Sequence, residues 1–383
     1  MNERTAGHGV AKILIRVNNW IGDVVMVSPA LRAVRRTYPH AEVTLLARSW
    51  VIDSLRGSPY FDRLIEYDRK GAHAGGWGRW KLIQRLRREH YDMALLFQKA
   101  FEAALFASMA RIPRRIGFST DARGWLLTDA LPLPKEGHHV EHFLQIAEAA
   151  GCDTSDRRLS FHVTPAARDA AYRFMRQQGL LEAPLRVGIH AGASKAPRAW
   201  HASRFAEVAT SLASQLGARV LLFGSDADAP LLETIRRESG DVCLPPPRGQ
   251  SLQVMAALME HCHLVVCNDS GPMHVAAALR IPIVALFGPG SPERTGPFTD
   301  PALVRVLTRR FPCSPCRQDF FRECQPAESG KPFCLEEITA AEVVAASQDL
   351  LGLAPRSVLG ISGSAAFENP QRPSGVTGCA KLL

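Results

Sequence analysis

Lys12-Ile13-Leu14-Ile15-Arg16-Val17 is a short apolar run, and Trp20-Ile21-Gly22-Asp23 follows it within three residues. Val24–Thr37 then reads as a helix, and Glu42–Ala47 is a second apolar run. Strand, glycine-bearing turn, helix and strand make the unit from which parallel sheets are built, because parallel neighbours need a crossover connection. The pattern continues outward. A basic amphipathic stretch around Trp80–Arg88 predicts another helix, and Met93–Phe97 another strand.

A second series begins after Thr164-Pro165. Arg168–Gly179 predicts a helix. Arg186–His190 predicts a strand, with Gly192 and Ser194 in the loop after it. Ser203–Leu216 predicts a helix with Ser203 as its N-cap. Arg219–Phe223 runs into Gly224-Ser225-Asp226, His263–Cys267 into Asn268-Asp269-Ser270-Gly271, and Ile283–Phe287 into Gly288-Pro289-Gly290. Three successive strands thus end in Gly-, Ser- or Asp-bearing turns. In a parallel sheet such turns lie at the carboxyl edge, where ligands bind. The expectation is an α/β protein of two Rossmann-like parallel-sheet domains, residues 1–165 and 166–354, divided near 155–166. Residues 355–383 are rich in Gly, Ser and Pro, lack periodicity and read as a disordered tail.

The chain's 383 residues exceed one ordinary α/β core. With 46% hydrophobic and 22% charged residues it is not a disordered protein. No apolar run approaches the length of a membrane span, and Met1–Lys12 has no apolar signal core. A cytoplasmic placement is expected, with the nine Cys reduced or metal-bound. The net charge is +9, and residues 1–165 hold 24 Lys and Arg against 17 Asp and Glu. An anionic partner follows for that half: nucleic acid, an anionic membrane surface or a phosphorylated glycan. Aromatic content of 7% without a stacking motif weakens the nucleic-acid option.

Three motifs carry chemistry. Asp23 sits at the start of the first helix, either as a capping carboxylate or as a base facing the second domain. Gly192-Ala193-Ser194-Lys195, with Arg198 and Trp200 after it, supplies amides, a hydroxyl and two cations, the groups phosphate recognition needs. Walker-loop spacing is absent. Trp200 should anchor this loop. In Asn268-Asp269-Ser270-Gly271-Pro272-Met273-His274 the amides at Ser270 and Gly271 open a helix and offer an anion site. Asp269 suits sugar hydroxyls; His274 either reaches a phosphate or is a satisfied structural histidine.

Taken together, Ile13–Ala47 with its Asn19-Trp20-Ile21-Gly22-Asp23 and Ser28-Pro29-Ala30-Leu31 motifs, Gly192–Trp200 and Asn268–His274 resemble glycosyltransferase family 9 over roughly residues 12 to 350. The Asn-Trp-Ile-Gly-Asp form is more similar to the heptosyltransferase II branch than to heptosyltransferase I. The resemblance implies a GT-B fold, two domains facing across a cleft, with acceptor on the first and ADP-heptose on the second. It implies Asp23 as catalytic base of an inverting, metal-independent transfer to the inner core of lipopolysaccharide. It implies Asp269 at the donor, Arg198 on phosphate where Lys is usual, and Asp226 at the ribose. Ser194, Lys195, Ser270, Gly271 and His274 complete the donor set. Arg114 and Arg115, in the Arg111–Arg115 run, are the candidates for acceptor phosphates and for an anionic inner-leaflet surface. The final helix, near Ala340–Leu351, is expected to return toward the first domain.

Cys313, Cys316, Cys324 and Cys334 give C-x2-C-x7-C-x9-C. Two readings stay open: a structural zinc on four thiolates, and four thiols packing an irregular loop. Competing functions are another sugar or acceptor within family 9, a GT-B-shaped nucleotide-sugar epimerase, and a zinc-linked basic protein binding nucleic acid. No cofactor is expected for catalysis.

Overall fold

The computed structural model describes residues 9–247, 249–313, 316, 318, 321 and 324–352. The tail expected at 355–383 lies outside them. The first domain runs β1 (Lys12–Arg16), α1 (Ile21–Met26), α2 (Ser28–Thr37), β2 (Glu42–Ala47), β3 (Arg63–Glu66), α3 (Gly75–Arg88), β4 (Met93–Leu96), α4 (Phe101–Met109), β5 (Arg114–Phe118), β6 (Asp129–Leu131) and α5 (His139–Ala149). Residues 150–164 cross to the second domain. That domain runs α6 (Pro165–Gln177), β7 (Arg186–His190), α7 (Ala202–Leu216), β8 (Arg219–Phe223), α8 (Ala229–Glu238), β9 (Cys243–Leu244), α9 (Leu252–Met259), β10 (Leu264–Asn268), α10 (Gly271–Ala278), β11 (Ile283–Phe287), α11 (Pro292–Thr295), β12 (Val304–Thr308), α12 (Phe333–Glu336) and α13 (Ala340–Leu350).

Both sheets are all-parallel and have the same connectivity. The first is ordered β3-β2-β1-β4-β5-β6, the second β12-β11-β10-β7-β8-β9. Each reverses direction once, between β1 and β4 and between β7 and β10. A crevice opens at the carboxyl ends of the strands at such a switch point. Burial on both faces explains the near-continuous apolar strands: Ile13, Leu14 and Ile15 are all buried. One core joins α1, α2 and α5 of the first domain to α6, α9 and α10 of the second. A second core lies between α7, α13 and the outer face of the second sheet.

Several local expectations shift. The helix read over Val24–Thr37 is two helices, α1 and α2, because Pro29 cannot donate into a continuous ladder. α3 and α6 start earlier than read; Thr164 accepts from the Ala167 N–H and caps α6. The N-cap of α7 is His201, not Ser203. The last described helix does not return to the first domain. α13 packs Val343 and Val344 into the second core and ties Gln348 to Gln215 of α7 at 2.9 Å. No helix among the described residues is long and apolar enough to cross a membrane.

Candidate functional site

The two switch points meet at the N-terminal ends of α1 and α10. Gly22 and Gly271 allow the approach: a Cβ on Gly22 would lie 2.7 Å from the His274 ring, and one on Gly271 would lie 3.1 Å from Ile21 Cβ. Asp23 is the third residue of α1. Trp20 is the N-cap of that helix and makes no side-chain capping bond. The Asp23 carboxylate points elsewhere: His139 Nδ1 of α5 lies 3.8 Å from its Oδ1, and both side chains are about four-fifths buried (21% and 20% exposed). The Lys99 ammonium, on the loop after β4, feels the Asp23 charge. Burial pulls the Lys99 pKa below its ordinary value, and Asp23 partly restores it.

The donor-side residues gather after β7 and β10. Asn268 holds the two loops together, donating from Nδ2 to the Ala191 carbonyl at 2.7 Å and accepting the Trp200 N–H at 3.1 Å. Trp200 is buried, and its indole N–H donates to the Ile338 carbonyl. It anchors the loop, as its size requires. Asp269 is buried at the end of β10, in a space that exists because Gly290 lacks a side chain; a Cβ there would lie 2.2 Å from Asp269 Oδ2. Arg198 Nη2 stands 2.8 Å from the same oxygen. That ion pair is close in distance but off-angle, so Asp269 Oδ2 and Arg198 Nε lack hydrogen-bond partners. Burial raises the Asp269 pKa and Arg198 opposes the rise. Buried polar atoms of this kind are rare in native structures and mark groups with remaining capacity for a ligand.

Ser270 is the N-cap of α10, its hydroxyl 3.3 Å from His190 Nδ1. His274 is buried, and its Nδ1 has no hydrogen-bond partner among the described residues. Burial lowers its pKa to about 4. Ser194 and Lys195 are exposed at the cleft-side loop. Asp226 is exposed after β8, where its Oδ1 accepts the Gly249 N–H at 3.3 Å. Its neighbour Asp228 forms a capping box with Ser225.

Other residues fall elsewhere. Arg114 begins β5 in register with Met93, and Met93 with Ile13, which is the amino edge, opposite Asp23. Arg114 donates to the Ala149 carbonyl at 2.6 Å, and Arg115 to those of Leu126 and Ile112. These cations close the base of the sheet and do not reach the cleft. Cys334 is buried, and Cys313, Cys316 and Cys324 are part-exposed. Burial first, then those three thiols, raise the Cys334 pKa to about 12. Among the described residues no group of three or more His, Cys, Asp or Glu is gathered to hold a metal ion.

Sequence reading missed Lys99, His138 and His139. All three follow strands of the first sheet at its carboxyl edge. His138 ties the domains: its ring nitrogen Nε2 donates to the Gly296 carbonyl at 3.1 Å, Nδ1 accepts the Val140 N–H, and the ring stacks on Phe298 at 4.8 Å.

A family model described as glycosyltransferase family 9 (heptosyltransferase) matches residues 79–324. The chain belongs to glycosyltransferase family 9. Lipopolysaccharide heptosyltransferase 2 of Escherichia coli K12 is 31% identical over 310 residues, spanning 78% of this chain and 88% of that protein. The solved structure of E. coli ADP-heptose LPS heptosyltransferase II superposes with a TM-score of 0.71 at 27% identity, covering 89% of this chain and 98% of that one. A family 9 glycosyl transferase from Veillonella parvula DSM 2008 superposes at 0.77 and 25% identity, covering 89% and 97%. The GT-B architecture and the family resemblance read from the motifs are therefore correct, and the cleft of this family 9 chain is the seam between α1 and α10.

Proposed function

We propose that the protein transfers a heptose from ADP-heptose to the inner core of lipopolysaccharide, with inversion at the anomeric carbon. The observation that supports this most is the seam itself: Asp23 from one domain and Asp269, Arg198 and His274 from the other converge where Gly22 meets α10. The names of the relatives point to the same donor and acceptor. Membership of a transferase family weighs against the epimerase and nucleic-acid readings.

The acceptor hydroxyl attacks the anomeric carbon, its proton passes to the Asp23 carboxylate, and the bond to the β-phosphate breaks to release ADP. The leaving diphosphate gains charge as it departs. Arg198, Lys195, Ser194 and the amides at Ser270-Gly271 lie on the loops that meet it, so no divalent cation is required. Asp269 takes sugar hydroxyls and Asp226 the ribose. The first domain holds a lipid A-Kdo-heptose type of acceptor, so the reaction takes place with the protein peripheral at the inner face of the cytoplasmic membrane.

The direct test is ADP release from ADP-heptose with and without a mono-heptosylated inner-core acceptor. Acceptor-dependent release is expected; release without acceptor, or none with it, overturns the assignment. The four-thiol set Cys313, Cys316, Cys324 and Cys334 has the chemistry of a structural zinc centre and would hold the metal through its thiolates. Metal analysis of purified protein is expected to find about one equivalent; stable protein free of metal leaves thiol packing.

A further inference from the structure

Of the six tryptophans, the one in the second domain, Trp200, is buried, and the five in the first domain are all exposed. Trp20, Trp50, Trp77, Trp80 and Trp125 expose 65%, 56%, 68%, 41% and 75% of their surface. Exposed large aromatics in such number need a reason, because each holds apolar area in water. Their positions give one. Trp20 follows β1, Trp50 follows β2, Trp77 and Trp80 open α3 after β3, and Trp125 follows β5. Phe101 fills the remaining place after β4, its ring 6.2 Å from that of Trp125. β1, β2, β3 and β5 are thus each followed by exposed tryptophan at the carboxyl edge, the edge that bears Asp23, and β4 by the half-buried Phe101.

The rim is continuous and held in place. Trp50 donates its indole N–H to the Asn19 carbonyl at 2.6 Å, beside Trp20, so its polar tip is satisfied and the ring faces out. Arg48 stacks on both Trp50 and Tyr67. Arg79 of α3 pairs with Glu102 of α4, joining the Trp77–Trp80 turn to Phe101. Cations stand among the rings: Lys81 lies over Trp77, and Arg69 and Lys70 are exposed on the loop before α3. The acids nearby are engaged. Glu66 accepts from Ser49, Asp68 from the loop amides, Glu102 pairs with Arg79, and Asp121 accepts the Phe101 N–H.

We propose that this aromatic and basic rim, and not the Arg114–Arg115 edge, is the surface by which the protein docks on an anionic lipid bilayer. Tryptophan prefers the headgroup region, where an apolar ring and a polar N–H are both accommodated, and cations beside it favour anionic lipid. The exposed rings are spread along the part of the carboxyl edge that the second domain does not cover, from Trp20 and Trp50 to Trp77, Trp80 and Trp125. The edge that carries the rings is the one after whose first strand Asp23 lies. The membrane surface follows from the rim alone; its lipid-borne cargo rests on the proposed transferase reading.

The test uses the full chain and vesicles of phosphatidylcholine, with and without phosphatidylglycerol. Wild-type protein is expected to co-sediment with the anionic vesicles, more at low salt, and its tryptophan emission to be quenched by brominated acyl chains. The variant W50S/W77S/W125S, which leaves Trp20 beside the catalytic turn intact, is expected to partition about tenfold more weakly. Its kcat/KM on a delipidated, water-soluble acceptor should equal that of wild type, while turnover of vesicle-borne acceptor falls. Absence of quenching in the wild type, or equal partitioning of the variant, overturns the proposal. So does an equal loss on both acceptors, which would make the rings sugar contacts. Failure of the transferase reading shows separately, as wild-type protein that binds vesicles and releases no ADP.

Discussion

Asp23 had two readings in the sequence, capping group and base. The N-cap of α1 is Trp20, and Asp23 stands in the first turn with His139 Nδ1 3.8 Å from its carboxylate and the half-buried Lys99 close enough to feel its charge, all within the first domain. Asp23→Asn keeps the shape and removes the basicity. It should lower kcat by roughly two to four orders of magnitude with ADP affinity unchanged by calorimetry. Near-normal turnover would leave Asp23 with no chemical task. Much of this residue-level picture was readable in advance, because Asp23, Arg198 and Asp269 each sit in a short motif directly after a strand. Lys99 and His139 were not read, although they flank Asp23. Lys99 follows a strand without a glycine or acid to draw attention, and His139 reaches Asp23 only through tertiary packing of α5 against α1. Arg114 and Arg115 failed for the complementary reason. A dense basic run reports charge, but only strand register reports which edge of the sheet bears it.

Among the elements, α1 and α10 determine whether the two halves of the site meet. Gly22 is required by contact, since its added Cβ would meet the buried ring of His274 at 2.7 Å. Overpacking at such a contact costs about 1–3 kcal/mol, and a misplacement near 1 Å can cost about a hundredfold in rate. Gly22→Ala is therefore expected to lower the denaturant midpoint and to reduce kcat by about two orders of magnitude. Gly76→Ala, in α3 with nothing within 4 Å of the new Cβ, serves as the control and should be neutral or slightly stabilising. Equal behaviour of the two variants would mean that α1 and α10 move apart without consequence. The helices and strands themselves were largely legible, since parallel strands buried on both faces are continuous apolar runs. The break between α1 and α2 was signalled by Pro29 and passed over. The course of α13 was not signalled at all: an amphipathic helix states that it will be buried, not which domain will bury it.

At the scale of the whole molecule, three buried imidazoles link the architecture to pH. His138 bridges the domains, His274 lies in the α1–α10 seam, and His190 sits under Ser270; burial lowers each to about 4 from an ordinary value of 6.5. All three are neutral in the folded protein across the range in which the unfolded chain takes up protons. Stability is therefore full above about pH 6.5 and declines as pH falls toward 4, the unfolded state binding more protons throughout. Carboxylate losses come lower: Asp156, held at about 2 by Arg158, keeps its contribution until the pH drops below the ordinary aspartate range. The interval between pH 6.5 and 5 thus belongs chiefly to the histidines. The unfolding free energy from urea titrations is expected to fall steadily over that interval, by a total on the order of a few kcal/mol, and the midpoint with it. His138→Gln should flatten part of the slope, because glutamine can donate to the Gly296 carbonyl and cannot be protonated. The same substitution should leave the pH 7.5 midpoint nearly in place. A midpoint that does not move between pH 7.5 and 5 would mean that these rings are solvated, and with them the seam on which the site depends.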